Sequence, residues 1–150
     1  MKAKRLISAL ASAALFVQAV PIAFADEEST TVRVVIENTT FTQADGAKWE
    51  GTLVDTEVEL KDDSTMYSVI VDAVKKEGYE MVSGTSDYGA YISDIGGVGI
   101  ETASNAEGQY PGWTTMLNDW FTAQSSDAYK VSDSYESSND VVVLFFSIHI

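Results

Sequence analysis

Residues 62–78 read DDSTMYSVIVDAVKKEG, and this stretch decides the fold. Met66, Ile70, Ala73 and Val74 recur at helical spacing, with Tyr67, Val69 and Val71 widening the apolar stripe. Asp62, Asp63 and Ser64 are N-cap candidates ahead of the positive end. Lys75 and Lys76 sit at the negative end, and Gly78 follows as a stop. The pattern predicts a helix over about Thr65–Glu77, the only strong one beyond residue 25. A striped helix must bury its apolar side against another layer.

The flanks supply that layer. Upstream, Thr31–Glu37 alternates, with Val32, Val34 and Ile36 on one side, which is a half-buried strand. Thr52–Leu60 reads as a second strand with Val54, Val58 and Leu60 together. Between them Asn38–Gly51 is rich in turn formers; Asp45-Gly46 is a turn, and Phe41 and Trp49 are satellite apolar groups. Downstream, Tyr79–Val82 reads as a short strand followed by a loop to Gly89. Tyr91–Ile95 is a strand that runs into a tight turn at Gly96-Gly97-Val98-Gly99, and Ile100–Gln109 reads as a polar loop. Trp113–Leu117 and Trp120–Ala123 flank Asn118-Asp119, a two-residue hairpin turn. Ser132–Asn139 is a polar acidic loop. Val141–Ile148 is almost wholly apolar, as expected of a central strand buried on both faces. The expected class is α+β: a β-grasp-like mixed sheet, last strand central, with one main helix packed on one face.

The beginning of the chain reads as an export signal. Lys2, Lys4 and Arg5 precede the apolar run Leu6–Val20, Pro21 breaks it, and Ala23-Phe24-Ala25 offers small residues for cleavage before Asp26. The competing reading is a retained membrane anchor, for which the run is short against the ~20 apolar residues of a span. The expected organisation is a secretory signal over residues 1–25 and a single domain over 26–150. Six of the nine basic residues and all 23 acidic ones lie beyond residue 25, giving that domain a formal charge of −17. Such a surface repels phosphate backbones and anionic headgroups, so nucleic acid and membrane are expected not to be partners once the signal is gone. With no cysteine, disulfides, thiol catalysis, thiolate metal sites and lipid anchoring through a thiol are excluded. The expected location is secreted, outside the cell or in the cell-wall space.

Reacting groups are sparse. His149 is the single histidine and stands in the most apolar strand with no triad partner near it in sequence. Ser86 lies in Gly84-Thr85-Ser86-Asp87-Tyr88, which is not nucleophile-elbow spacing. The Gly96–Gly99 run lacks a following helix and a phosphate-loop Lys. Asp133, Glu136 and Asp140, like Asp62 and Asp63, do not follow a calcium-loop pattern and read as solvated faces. Asn38-Thr39-Thr40 is formally a glycosylation sequon. No cofactor and no enzymatic activity are expected. An acid-pair hydrolase would require two carboxylates converging in a pocket.

The aromatics carry more information. Tyr88, Tyr91, Tyr110, Trp113, Trp120 and Phe121 fall within a third of the chain, interleaved with glycines. Aromatics on hairpins beside Gly-rich loops make flat contact surfaces of low entropy cost. Tyr91, Trp113, Asn118 and Trp120 are the candidate ligand-binding residues. For Trp113 a core role is as well supported as a contact role.

Three segments are similar to the transcobalamin C-terminal-like domain family: Tyr91-Ile92-Ser93-Asp94-Ile95-Gly96-Gly97-Val98, Gly112-Trp113-Thr114-Thr115-Met116-Leu117-Asn118-Asp119, and Ala128-Tyr129-Lys130-Val131 ahead of the last apolar strand. The resemblance covers most of residues 26–150. It departs at Asp119, where the family's hairpin has glycine, at Thr115, where an aromatic is usual, and at Asn139-Asp140 in place of glycine-aspartate. The family is a domain of unknown function in many bacterial exported proteins. In the animal cobalamin carriers it forms a smaller domain that closes over one face of the corrinoid, beside a larger helical domain without counterpart here. The resemblance implies a β-grasp-like fold and a non-enzymatic binding module for a small molecule, cobalamin being the sharpest version. The alternative is a structural or adhesive module whose partner is a surface protein.

Overall fold

The computed structural model describes residues 30–103, 110–118, 120–122, 124–131 and 141–149. The export signal, Asp119 and the loop 132–139 lie outside the described residues. Strand β1 (Thr31–Asn38) pairs antiparallel with β2 (Gly51–Glu59), from Thr31 opposite Glu59 to Asn38 opposite Gly51. The last strand, β8 (Val141–His149), lies parallel to β1 on its other side, with Arg33 opposite Val141. β6 (Tyr110–Leu117) runs antiparallel to β8, and the two-residue β7 (Trp120–Phe121) closes that edge. The order β2-β1-β8-β6-β7 puts the last strand in the middle, as the β-grasp-like expectation requires.

Period-two alternation gives this sheet two unlike faces. Val32, Val34 and Ile36, Val54 and Val58, Leu117, and Val142, Leu144 and Phe146 are buried on the inner face. Each contributes on the order of 1.5–3 kcal/mol by leaving water. The expectation that β8 is buried on both faces is corrected: Val141, Val143 and Phe145 are only half-buried, since the helix and the second sheet both cover the opposite, inner face.

Helix α1 (Met66–Lys76) covers the β1–β2 half of the inner face with Met66, Val69, Ile70, Ala73 and Val74. Its cap is Thr65, not the predicted Asp62, Asp63 or Ser64. Thr65 Oγ1 accepts from the Ser68 backbone N–H at 3.1 Å, and Ser68 Oγ accepts from the Thr65 N–H at 2.9 Å. Ser64 instead closes the preceding turn, its hydroxyl accepting from the Lys61 N–H. Two further N–H groups of the first turn are satisfied from a distant segment: Met66 donates to the Tyr129 carbonyl and Tyr67 to the Ser126 carbonyl. Gly78, at φ +78°, ends the helix as expected.

The other half of the inner face is covered by a second sheet that the sequence reading merged with the first. It contains β3 (Met81–Ser86), β4 (Gly89–Ile95) and β5 (Val98–Gly99) in that order. The segment expected to be a loop up to Gly89 is mostly strand, turning at Asp87-Tyr88 so that Ser86 faces Gly89. Glycine in mid-strand weakens a strand reading. Here Gly84 is required: it lies opposite Tyr91, and a Cβ at Gly84 would stand 2.6 Å from the Tyr91 hydroxyl. Gly96-Gly97 is the expected tight turn, bringing Val98 back against Ile95. Ile100–Ala103, expected as loop, form a single helical turn, α2, whose Ala103 is buried.

Two core clusters result. The main one lies between the large sheet, α1 and the inner residues Ile92 and Ile95 of β4. The smaller joins Phe41, Ala47, Val98, Ala103 and Phe146. Trp49 and Trp113 stack at 6.1 Å across the seam between them, and Trp113 meets Phe146 edge-on at 5.1 Å. The sequon asparagine is committed to this seam: Asn38 is fully buried, and its amide donates to the carbonyls of Phe41 and Trp49. Once folded, Asn38 offers no glycan acceptor.

Candidate functional site

Where β4 leans over β6, the inner face is not completely filled. A cleft of about 330 Å³ remains, bordered by Tyr91 and Ile92 of β4, Trp113 and Thr115 of β6, and the segment following β7, with Leu144 among its lining. That is the lower end of the size range of small-molecule sites.

Backbone pairing sets the cleft walls. Tyr91 is 48% exposed, and its ring lies against the bare backbone of Gly84 across the β3–β4 pair. The far wall, residues 124–126, is fastened at both ends. The Ser126 carbonyl receives the Tyr67 N–H at the start of α1. The Asp127 carboxylate accepts from the Ser125 side chain and from the Ala90 backbone, as well as from its own and Ala128's N–H groups. These bonds hold its pKa below the ordinary value of 3.8. Gly89 makes this fastening feasible, because a Cβ there would collide with the Ser125 hydroxyl and the Asp127 carboxylate. On the rim, the Thr122 hydroxyl donates to the Gln124 carbonyl at 3.2 Å and lies 3.5 Å from the Thr115 hydroxyl.

Of the four candidate residues, the cleft unites two. Tyr91 and Trp113 line it. Trp113 is at the same time part of the core seam, stacked on Trp49 and edge-on to Phe146. Its indole Nε1 is buried without a hydrogen-bond partner among the described residues, an arrangement that costs about 1–3 kcal/mol. Asn118 serves the hairpin instead. It takes the left-handed conformation at φ +53°, which Asn tolerates better than most residues. Its Oδ1 accepts from the Val141 N–H, and its own N–H donates to the Val141 carbonyl, docking the start of β8. Trp120, 78% exposed on the sheet edge, does not line the cleft. Phe121 borders the cleft while its ring packs edge-on against Phe145 on the outer face. Thr115, Thr122 and Gln124 carried no sequence signal, since isolated hydroxyl and amide residues in a polar stretch look like any surface.

A second, open groove of about 540 Å³ lies between β2 and α1, lined by Glu57, Glu59 and Asp72 together with Lys61, Lys75 and Lys76. The Lys76 ammonium donates to the Glu57 carbonyl there. Among the described residues no group of three His, Asp or Glu is placed to hold a metal ion. No helix among them is long and apolar enough to cross a membrane. The side chain of His149 is not among those described.

No protein-family model matches the chain, and no curated protein matches it. Solved structures do. A crystal structure of haptocorrin in complex with Cbi matches with a TM-score of 0.54 at 17% identity, over 81% of this chain and 26% of that one. A candidate metal-binding protein from Ruminococcus gnavus matches with a TM-score of 0.48 at 13% identity, over 81% of this chain and 99% of that one. The haptocorrin likeness shows a shared fold, and this chain spans about a quarter of the haptocorrin's length.

Proposed function

We propose that the protein is an exported, non-enzymatic module that binds a small molecule in the cleft between β4 and β6. The observation that carries this reading is the cleft itself: two of the aromatics singled out from sequence line one concavity, on a scaffold whose fold is shared with a corrinoid carrier. A corrinoid is the ligand that the haptocorrin likeness suggests. The cleft has room for only part of so large a ring, so a corrinoid would rest on Tyr91 along one edge and leave its other face for a second body. The test is thermal unfolding of the full chain with cobinamide, cobalamin and cell-wall fragments. A true ligand at 100 times its Kd raises stability by about 2.7 kcal/mol. Unchanged unfolding with every one of them at saturation would sink the reading.

A second reading is supported by the β7 edge. Trp120 and Phe121, 78% and 66% exposed, stand in the outermost strand of the sheet among the described residues, where a partner protein could add a strand and bury both rings. It predicts self-association or a captured surface protein, abolished by Trp120→Ala.

A further inference from the structure

We infer that the outer face of the large sheet, the side turned away from α1 and the second sheet, docks a basic amphipathic helix of a partner protein. The pairing registers line up one row of side chains across the strands. Asp55 of β2 stands opposite Val35 of β1, and Val35 opposite Val143 of β8. Val143 stands opposite Met116 of β6, and Met116 opposite Phe121 of β7. Strand alternation turns this row outward, since the adjoining Val34, Val142 and Leu117 are buried on the inner face. Val35, Val143 and Met116 are half-buried and Phe121 is exposed. None of them belongs to either core cluster. Phe145, two residues along β8 from Val143, widens the row by packing edge-on against Phe121. Apolar side chains that are contiguous on an outer face, rather than scattered, mark a contact surface.

Carboxylates gather at one end of the row. Asp55, Glu57 and Glu59 alternate along β2, opposite Val35, Arg33 and Thr31, so they share the outward face. Glu37 stands opposite Phe145 on the same face. Arg33 is already engaged, its Nε and Nη2 both donating to the Asp55 carboxylate. An occupant that fits must bring an apolar stripe for the row and cations for its β2 end. A second copy of the chain brings the same acids: stacked face to face, it sets carboxylates against carboxylates or against Phe121. An anionic lipid surface is repelled by them. A helix suits the spacing. Strands lie ~4.8 Å apart, so the step from Val35 to Phe121 is ~14 Å. Apolar positions on one helix face advance ~5.4 Å per turn, so three turns cover ~16 Å. One further turn carries lysine or arginine over Glu57 and Glu59.

The experiment titrates the full chain, by calorimetry and amide-resolved NMR, with synthetic peptides of about 16 residues. One carries leucine at helical spacing and lysine in its first turns, the next has glutamate for each lysine, and the last is a scramble of the first. Expected is saturable binding of the first peptide alone, with shifts at Val35, Met116 and Val143. Its affinity should fall as salt rises from about 0.05 to about 0.5 M. Val143→Thr, which puts a hydroxyl into the contact, should weaken it at least about tenfold. Glu57→Gln combined with Glu59→Gln should weaken it about threefold and flatten the salt dependence; this variant keeps the apolar packing if the first disturbs β8. Equal binding of either control peptide, shifts confined to the cleft residues Tyr91 and Trp113, or no binding at all would overturn the inference. A dimer that excludes the peptide would assign the face to a second copy, and binding to phosphatidylcholine vesicles through the same amides would assign it to lipid; either overturns it. The small-molecule reading concerns the other side of the sheet and stands or falls separately.

Discussion

Asp127 shows how one residue outside the cleft holds its wall in place. Its carboxylate is fully ionised to do so, and its donors depress its pKa below 3.8. The folded state therefore binds this proton less readily than the unfolded chain. The contribution is present above about pH 4 and is lost as pH falls through the folded-state pKa. Asp127→Asn should flatten the acid limb of a stability profile taken between about pH 2 and about pH 6, and loosen amide protection at Ala90. A profile parallel to the wild type would refute the role. Tyr91 and Trp113 were legible as candidates because aromatic rings stand out in a glycine-rich stretch. Asn118 was legible as a turn residue, yet its side chain docks β8, a contact across 23 residues that spacing does not encode. Trp120 was singled out for its place beside the turn, but it lies in the edge strand β7, away from the cleft.

Among the elements, α1 and the alternating strands declared themselves because each buries one face at a fixed period. The small sheet did not. β3 is a run of serine, threonine and glycine whose pairing depends on Tyr91 covering Gly84, a property of two strands together. α2 is four residues long and is held by Ala103 in the core, too short for any periodicity. The N-terminus of α1 joins the two halves of the design, since its first N–H groups bond the segment that walls the cleft. Thr65→Ala should cost about 1 kcal/mol in urea denaturation, and Thr65→Ser should restore most of it. Faster exchange of the Ser68 amide should accompany the loss, and an unchanged midpoint would show that the cap is redundant.

For the molecule as a whole, charge is the dominant long-range term. Twenty-three acidic residues outnumber nine basic ones and repel one another, and the Arg33–Asp55 ion pair at 2.7 Å is well exposed and worth little. Added sodium chloride, from about 0.01 to about 0.5 M, should raise the Tm by screening that repulsion; a falling Tm would mean that attractive pairs dominate. The central place of the final strand was legible because the strand is so apolar, whereas the order of its neighbours was not. The division of the inner face between a helix and a second sheet was not, since both coverings leave the same alternation in the strands beneath. The parallel contact of β1 with β8 has one more consequence. Arg33 must wait for Val141 before the centre of the sheet can close. While a ribosome is still making the polypeptide, β1 has only β2 beside it and no permanent neighbour on its other flank. The centre of the large sheet can therefore form only after β8 has been synthesised.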